Sequence, residues 1–397
     1  MSNIREYKKL WELLIFDKRF NGVPKEKQME ISSFAHVSAE KLKDLDAGEG
    51  DVRLISTGQF NGYTTEELAG AHLNTGEIIT IPTGGVANIK YYNGKFVDSG
   101  NIIGVARSKD IKLKFVYYYL LFNREQLNSF FRGASIKHPY MPDICEMLVP
   151  LYSINEQDNI ITQLGLSQCI IEKQKAQLKE LDTLAESIFY DMFGDIVTNE
   201  NGWDVSRLEE DCEVSSAKRV LVEDVVDDGI PFIRGTELTA LNKSISSKDV
   251  RFTMFITAEH YERLKAITGV PKIGDILIPS INSDGITWIV DTDSPFYFKD
   301  GRVIWVHVNF NVYNSWYLKY TISKMLQTNY KTLTSGATFL ELKLFIIRDL
   351  LIPIPPLQLQ QQFAERIEAI EHQKTLIKKS IDETQKLFDY TMDKYFG

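Results

Sequence analysis

Apolar residues recur every seven positions in two stretches of the chain, one central and one C-terminal. In the central stretch, Leu164, Ile171 and Leu178 form one series, and Leu181 and Ile188 belong to a second, interleaved series. Two interleaved heptad series make one apolar seam along a long helix. At about 38 residues and about 1.5 Å per residue, each predicted helix is a rod of about 57 Å. A long helix that is polar on its outer face needs a partner for its seam.

The C-terminal stretch repeats the central one at an offset of 203 positions. Gly133-Ala134-Ser135 aligns with Gly336-Ala337-Thr338, and Leu148-Val149-Pro150 aligns with Leu351-Ile352-Pro353. The same offset carries the seam into the second helix, where its apolar members are Phe363, Ile367, Ile370, Ile377, Ile381 and Phe388. We therefore expect the two helices to pair with each other, antiparallel. The alternative is two unrelated surface helices, whose shared register would then be accidental.

Proline-containing runs precede both helices. The run "LVPL" ends the segment before the first helix, and "LIPIPP" precedes the second. Because proline cannot donate to a sheet ladder, we expect each run to leave its module extended and to stop pairing at the proline. The stiff segment then sets the direction of the helix that follows.

Two segments of comparable size flank the helices. Each contains a β-rich run, "GEIITIPTGGVANIKYYNGKFV" from Gly76 and "GDILIPSINSDGITWIVDTDSPFYF" from Gly274, followed by an aromatic helical stretch. The pattern predicts a turn at Asn93-Gly94 and favours a structural hairpin at "PTGGVAN" over a phosphate-binding loop. The fold class is therefore α+β: two pseudo-repeated α+β modules, residues 1–150 and 195–352, joined by helices in 151–194 and 353–397 that pack as an antiparallel coiled coil.

Composition agrees with a folded, soluble chain. The 397 residues are 44% hydrophobic and 25% charged, which is typical of soluble globular proteins and long enough for two domains. No apolar run of about 18 residues and no signal-peptide pattern occurs, so we expect a cytoplasmic protein. The three cysteines are isolated, which argues against disulfides and a zinc site. We expect no metal and no cofactor.

The alternation of module and helix, the junctions "LVPLYSINEQDNI" and "LIPIPPLQLQQQF", the Gly-Ala-Ser/Thr elements and the Phe-Gly end of each helix resemble the specificity subunit of type I restriction-modification systems. The resemblance covers essentially the whole chain. Two positions depart from the repeated junction: Ser153 stands where the second copy has Pro356, and Leu359 stands where the first copy has Glu156.

This resemblance implies a function for the chain. Members of that family carry two target recognition domains, each recognising one half of a bipartite double-stranded DNA site, while the paired helices act as a spacer. The subunit is not catalytic, and it recruits two methyltransferase subunits and, for cleavage, restriction subunits. Beside the seam, Leu184, Phe189 and Leu387 would face partner helices, or would only widen the core stripe.

The motifs of the chemistry itself are missing from the sequence. There is no Asn/Asp-Pro-Pro-Tyr motif, no Phe-x-Gly-x-Gly loop and no Walker loop, which an adenine methyltransferase or a translocating motor would need. "PDICEM" has no lysine two residues after Glu146, and "ELK" at 341–343 has no upstream acidic partner, so neither completes a nuclease motif. These absences favour a non-enzymatic role.

Charge is the main objection to DNA binding. The chain has a net charge of −9, whereas a DNA-binding protein must neutralise phosphates. The second module is acidic as well as the helices. We therefore expect contacts from local clusters and weak DNA binding by the isolated subunit. A two-module scaffold without a DNA role is the alternative that this charge leaves open.

Candidate DNA contacts are basic, hydrogen-bonding and aromatic side chains at predicted loop tips. In the first module they are Lys90, Tyr91, Tyr92, Lys95, Arg132, Ser135, Lys137 and His138; in the second they are Arg234, Thr236, Ser280, Asn282, Ser283, Lys331, Thr332, Thr334 and Ser335. Each of them could instead be an ordinary solvated loop residue. We expect Tyr117-Tyr118-Tyr119 to pack inside its module, and Lys374 to act as a register device or to snorkel.

Overall fold

A computed structural model describes residues 6–17, 34–243, 250–333 and 341–397. The chain divides into two compact units. Unit 1 comprises residues 1–172 and 383–397, and unit 2 comprises residues 173–382. Two 40-residue helices, α7 (Ile154–Phe193) and α13 (Leu357–Phe396), each contribute one part to each unit. Neither they nor any other helix in the described ranges is both long and apolar enough to cross a membrane.

Unit 1 is built on a six-stranded sheet. Its strands are β2 (Leu14–Phe16), β3 (Val52–Ile55), β4 (Asn61–Thr64), β5 (Asn74–Ile81), β6 (Lys90–Asp98) and β7 (Ile102–Ala106), in the spatial order β2-β7-β5-β6-β3-β4. All neighbours are antiparallel except β3 and β6. Two small sheets pair β1 (Tyr7–Lys9) with β10 (Leu148–Pro150), and β8 (Phe131–Arg132) with β9 (His138–Pro139). Helices α1 to α6 span Leu10–Leu13, Ala39–Asp44, Glu66–Ala69, Leu113–Phe122, Arg124–Ser129 and Met141–Cys145.

The aromatic helix α4 forms the core of unit 1 with the ends of both long helices. Tyr118 is fully buried and Tyr119 is 5% exposed, which confirms that this tyrosine run packs inside its module. Phe396 of α13 contacts Phe115 at a ring-centroid distance of 5.3 Å, and Tyr118 contacts Phe388 at 6.3 Å. The core of the module therefore includes residues from the far end of the chain.

Unit 2 holds two four-stranded sheets. One has the order β12 (Glu213–Ser216), β19 (Val303–His307), β16 (Ile276–Pro279), β17 (Trp288–Ile289); the other has β13 (Val225–Val226), β15 (Phe255–Ile256), β14 (Ile230–Ile233), β18 (Tyr297–Phe298). A small sheet pairs β11 (Val205–Arg207) with β20 (Leu351–Pro353). Helices α8 to α12 span Leu208–Asp211, Gly235–Lys243, Ala258–Thr268, Ser315–Leu333 and Leu344–Arg348.

The junctions before the long helices have the same construction in both units. Strand β10 ends at Pro150, opposite Tyr7, and β20 ends at Pro353, opposite Val205. Leu151 then donates its N–H to Glu6, and Ile354 donates to Asp204. Each strand ends at its proline, as expected, but pairing does not stop there, because the next residue still donates one main-chain hydrogen bond to the residue that precedes the partner strand.

A buried glutamine follows each junction. Gln157 accepts the N–H of Lys112 at 2.8 Å and donates to the carbonyl of Tyr152 at 2.8 Å. Gln360, 203 positions later, accepts the N–H of Asn314 at 2.8 Å and donates to the carbonyl of Pro355 at 2.9 Å. Both side chains are 0% exposed. The repeat found in the sequence is thus a repeat of specific hydrogen bonds that tie each long helix to its module.

Candidate nucleic-acid interface

Two loops of unit 1 meet at one end of the sheet. The first, residues 82–89, connects β5 to β6, which confirms a hairpin at "PTGGVAN"; the second, residues 133–137, connects β8 to β9. His138 Nδ1 donates to the carbonyl of Thr83 at 2.6 Å, and Gly85 donates its N–H to the carbonyl of Lys137 at 2.8 Å. The Gly-Ala-Ser element therefore lies beside the glycine-rich hairpin.

A third loop, residues 56–60, joins the same surface through Lys90. Lys90 Nζ donates to the carbonyls of Ser56 at 2.7 Å and Gly58 at 2.8 Å, and Asn88 Nδ2 donates to Gly58 at 2.8 Å. Burial lowers the pKa of Lys90. This lysine braces two loops together, and its charge is already directed at carbonyl oxygens. We call residues 56–60, 82–89 and 132–139, which are the three loops together with the adjoining residues of β8 and β9, the loop face of unit 1.

The loop face has a charge opposite to that of the whole chain. It contains Arg132, Lys137 and His138 but no aspartate or glutamate, in a chain of net charge −9. Ser135 and Lys137 are exposed. Arg132 lies 3.9 Å above the ring centroid of Tyr140 and pairs with Asp143 at 2.5 Å. The face therefore offers exposed basic and hydrogen-bonding groups to a polyanion, although Asp143 partly neutralises Arg132.

Tyr91, Tyr92 and Lys95 do not belong to a turn. The predicted turn at Asn93-Gly94 is wrong, because both residues lie inside β6, where Asn93 pairs with Glu77 and Gly94 pairs with Gly76. Strand β6 is bonded to β5 on one side and to β3 on the other. Pairing along both edges outweighs the local turn preference of Asn-Gly.

The side chains of this strand contact their own unit. Tyr91 donates its hydroxyl to Glu77 at 2.8 Å, and Tyr92 packs edge-on against Phe96. Lys95 Nζ lies 2.5 Å from both Asp51 and Glu66, and these hydrogen bonds raise its pKa. Lys95 stands five residues along the strand from Lys90, so it is not part of the loop face.

Unit 2 places its first candidates at the start of α9. Arg234 forms a bidentate ion pair with Glu237: its Nε lies 3.0 Å from one carboxylate oxygen, and its Nη2 lies 2.5 Å from the other. Nη2 also donates to the hydroxyl of Thr253 at 3.3 Å. Thr236 is exposed and donates to Glu237 at 2.9 Å. Burial alone would raise the pKa of Glu237, but the hydrogen bonds from Arg234 and Thr236 outweigh that effect, so the pKa of Glu237 lies below its usual value. Glu237 thus holds Arg234 in one orientation.

Ser280 and Asn282 are not at a loop tip, as the sequence had suggested. They are 1% and 3% exposed, because Ser280 donates to Glu341 and Asn282 is bonded on both ends of its amide to Ile286. Both hold the 280–287 loop in shape. Ser283 is exposed and donates to Asp284 at 3.0 Å.

The remaining candidates of unit 2 lie around the end of α11. Lys331 is exposed in the last turn of that helix, and Thr332 is within the helix. Thr334 and Ser335 fall outside the described residues, as do Gly336-Ala337-Thr338.

The predicted seam residues lie on the packed sides of α7 and α13. Leu164, Phe363 and Ile367 are fully buried, and Ile171, Ile370 and Phe388 are between 6% and 8% exposed; Leu178, Leu181, Ile188, Ile377 and Ile381 are half-buried. Lys374 bridges to Asp182 and to Glu371, both at 2.7 Å, so it holds a specific partner on the other helix.

Of the three residues expected on the outer faces of the helices, two are exposed and one is buried. Leu184 and Leu387 are 47% and 58% exposed. Phe189 is buried, and it stacks on Tyr320 at 5.7 Å and meets Phe363 at 5.3 Å within unit 2. The expectation that Phe189 faces a partner is therefore wrong, because the aromatic helix α11 of its own unit covers it.

Sequence reasoning missed two apolar residues on the loop face. Val86 and Ile136 are 59% and 62% exposed, but only polar, basic and aromatic loop residues were considered as contacts. A signal was present in the sequence, because Val86 follows Gly85, Ile136 follows the Gly-Ala-Ser element, and both lie in loops without acidic residues. Among the described residues, no group of three His, Cys, Asp or Glu side chains could hold a metal ion.

Comparisons with known proteins agree with this architecture. A family model described as "Type I restriction modification DNA specificity domain" matches twice, over residues 24–181 and 200–386. A putative type I restriction enzyme specificity subunit of Haemophilus influenzae is 22% identical over 375 residues, covering 91% of this chain and 92% of that protein.

A solved structure extends the likeness to the fold. The type I restriction-modification system S subunit from M. genitalium has a TM-score of 0.65 at 16% identity and covers 100% of this chain and 98% of that one. The HsdS subunit from Thermoanaerobacter tengcongensis, at 16% identity over 99% of this chain and 96% of that one, has a TM-score of only 0.36. With its two matched domains and two long helices, the chain belongs to the type I restriction-modification DNA specificity family.

Proposed function

We propose that this chain is the non-catalytic DNA-recognition subunit of a type I restriction-modification complex, with one module, residues 1–150 or 195–352, for each half of a bipartite site. The observation that carries the proposal is the repeated attachment of a module to a long helix through Gln157 and Gln360. A chain with two similar modules on paired helices is suited to a DNA site with two separated halves.

The loop face of unit 1 supports DNA as the ligand. Basic and hydrogen-bonding groups occur there on loops that contain no aspartate or glutamate, although Arg132 is paired with Asp143 of the neighbouring helix; such groups are the ones that contact phosphates and base edges. Arg234, Ser283 and Lys331 are the corresponding candidates in unit 2. The net charge of −9 opposes phosphate binding elsewhere on the chain. The isolated subunit therefore binds DNA weakly, and the methyltransferase subunits supply the remaining phosphate contacts.

The helices in 151–194 and 353–397 act as the spacer and as the docking surface for two methyltransferase subunits. Unit 1 exposes Leu166 and Ile170, one turn apart on α7, and Leu387 and Tyr390, one turn apart on α13, each between 45% and 68% exposed. Apolar pairs with helical spacing on otherwise polar helices are suited to an amphipathic partner helix. Restriction subunits join this assembly for cleavage.

The experiment is co-expression with the methyltransferase subunit of the same locus, followed by mass determination and methylation mapping on genomic DNA. We expect one chain with two methyltransferases and a methylated motif with two specified halves. Exchanging residues 1–150 for the same segment of another family member should change one half only, and exchanging 195–352 should change the other. The two exchanges serve as controls for each other.

The scaffold alternative makes the opposite prediction. It is favoured by the acidic charge of the second module and helices. A chain that recruits no methyltransferase and leaves genomic DNA unmodified would support it and would reject the DNA-recognition role.

A further inference from the structure

The loop face of unit 1 carries an exposed apolar pair. Val86 is 59% exposed and Ile136 is 62% exposed. They stand on neighbouring loops, since Gly85 donates its N–H to the carbonyl of Lys137 and a Cβ atom built on Gly84 would lie 3.2 Å from Ile136 Cγ2. The two loops are therefore joined at this point, and we refer to the two exposed side chains as the apolar patch of the loop face.

The surroundings of the pair favour a nucleic acid over a protein partner. The patch is bordered by Lys137, His138 and Ser135, and no acidic residue occurs in any of the three loops. Protein-docking surfaces are larger contiguous apolar patches, of several hundred Å². Two branched side chains among basic and hydrogen-bonding groups match instead the mixed polar and methyl-bearing edge of DNA bases.

The loops are also braced for recognition. Ala87 donates its N–H to Asn128 at 2.7 Å, and Thr83 donates its hydroxyl to Gly100 at 2.9 Å. Lys90 and His138 tie the same hairpin to the other two loops. A rigid apolar patch gains contact only where the partner already places a matching apolar group, so it can discriminate between bases.

We propose that Val86 and Ile136 contact the C5-methyl group of a thymine in the major groove, within the half-site that the first module recognises. Thymine alone places a methyl group in that groove. The inference rests on the proposed function, and it goes further by naming a base and the two side chains that select it. Ser135 and Lys137 then face the neighbouring base edges and phosphates.

The test uses the assembled complex of this chain with its methyltransferase subunits and synthetic duplexes of the methylated motif. Each thymine of the first half-site, on either strand, is replaced in turn by deoxyuridine, which removes only the methyl group. We expect kcat/KM for methylation to fall about three- to tenfold at one position, as loss of one apolar contact predicts. At the other positions, where the proposal places no apolar side chain against the methyl group, kcat/KM should change by less than about twofold.

Variants connect the effect to the two side chains. Val86→Ala with Ile136→Ala should lower kcat/KM on the thymine duplex by a similar factor and abolish the difference between thymine and deoxyuridine. Both residues are exposed, so the substitutions leave the core intact. Val222→Ala, at an 89% exposed valine of unit 2, is the matched control and should keep the full difference.

Three outcomes would overturn the inference. One is a first half-site that contains no A·T pair, and another is an unchanged rate at every deoxyuridine. A third is a variant that loses activity equally on thymine and deoxyuridine, which would indicate a wedge between bases or a structural role. A complex that methylates no DNA at all would reject the proposed function, and the inference would fall with it.

Discussion

Gln157 and Gln360, which are buried and 203 residues apart, form equivalent hydrogen bonds in the two halves of the chain. Each amide binds one N–H and one carbonyl just before the aromatic helix of its module, and one carbonyl just before a long helix. A buried amide of this kind contributes mainly because its loss would leave several backbone groups without partners. Gln157 and Gln360 are therefore structural residues of the junction.

Replacing either glutamine should destabilise one unit selectively. Gln157→Ala should lower the unfolding free energy of unit 1, and Gln360→Ala that of unit 2, each by about 2–4 kcal/mol, because buried backbone groups lose their partners. Urea titrations followed by hydrogen exchange would assign the loss to a unit. Gln358→Ala, at an exposed glutamine of the same helix start, should change stability very little. Equal losses in all three variants would contradict the role of burial.

Lys319 is a second residue whose environment matters more than its type. It lies on α11 beside a cavity of about 240 Å³ lined also by Glu186, Tyr190 and Asp195, and its Nζ lies 5.1 Å from the ring centroid of Trp316. Burial lowers its pKa to about 8. A protonated lysine therefore costs unit 2 stability at neutral pH.

The sign of the pH dependence follows from that decrease. Because the folded pKa is below the unfolded value of 10.5, the unfolded chain binds more protons between the two values, and stability rises with pH across that window. Lys319→Met should stabilise unit 2 by about 1–2 kcal/mol at pH 7 and lose its advantage as the pH approaches about 10. Urea unfolding midpoints measured across this range test it. Lys324→Met, at an exposed lysine of the same helix, should show no such pH-dependent difference.

The long helices are the elements that the sequence predicted best. A seven-residue period over forty residues averages out local exceptions, so the seam was visible without any structure. The polar members of the seam have partners: Gln174 donates to Ser380 at 2.7 Å, and Lys374 bridges to Asp182 at 2.7 Å. These pairs join residues whose numbers increase on one helix as they decrease on the other, as antiparallel packing requires. Polar pairs at a seam fix register.

The modules were predictable in class but not in detail. β-branched runs indicated strands and "PTGGVAN" a hairpin, yet the Asn93-Gly94 turn was wrong because pairing on both edges of β6 is not encoded within six residues. Ser280 and Asn282 looked like loop residues but are buried by Glu341, Ile286 and Tyr330. These two residues are buried by partners tens of residues away in the sequence, and a local sequence pattern contains no information about such partners.

A disulfide can test the register of the helices. In a Cys169→Ser background, which removes the exposed native thiol, Gln174→Cys with Ser380→Cys should oxidise faster than a pair displaced along the helix, because the 2.7 Å hydrogen bond between the native side chains places these two positions opposite each other. Gel mobility with and without reductant gives the yield. Gln174→Cys with Gln373→Cys is the control, since position 373 lies seven residues away, about 10 Å along the axis. Equal yields in both pairs would mean that the register is not fixed.

At the scale of the whole molecule, the distribution of charge bears on where DNA would bind, and the path of the long helices bears on the spacing of the two half-sites. The loop face, which has no acidic residue, stands in a chain of net charge −9, so under the proposed function attraction to DNA should be confined to a small part of the surface. Confinement of this kind favours binding in one orientation over adhesion along the backbone, because phosphate attraction alone carries no sequence information. Both long helices pass from one unit to the other, α7 after Glu172 and α13 after Asp382.

The length of α7 and α13 should therefore determine the length of the unspecified spacer in the DNA motif. Inserting seven residues into α7 after Glu172 and seven into α13 after Asp382 keeps the heptad phase and adds about 10.5 Å to each helix. At about 3.4 Å per base pair, the unspecified spacer of the methylated motif should lengthen by about three base pairs while both specified halves stay the same. Methylation mapping in a host that expresses the altered chain with its methyltransferase gives the new motif directly.

Phase, and not length alone, should decide whether the altered complex works. Inserting four residues at the same two points shifts the seam out of register, because four residues do not restore a seven-residue period. We expect that variant to retain two folded modules by circular dichroism but to methylate poorly, since the apolar faces that pair the helices no longer meet. A heptad variant that methylates the original motif with an unchanged spacer would show that the helices do not measure the site. The spacing would then have to be set by the methyltransferase subunits.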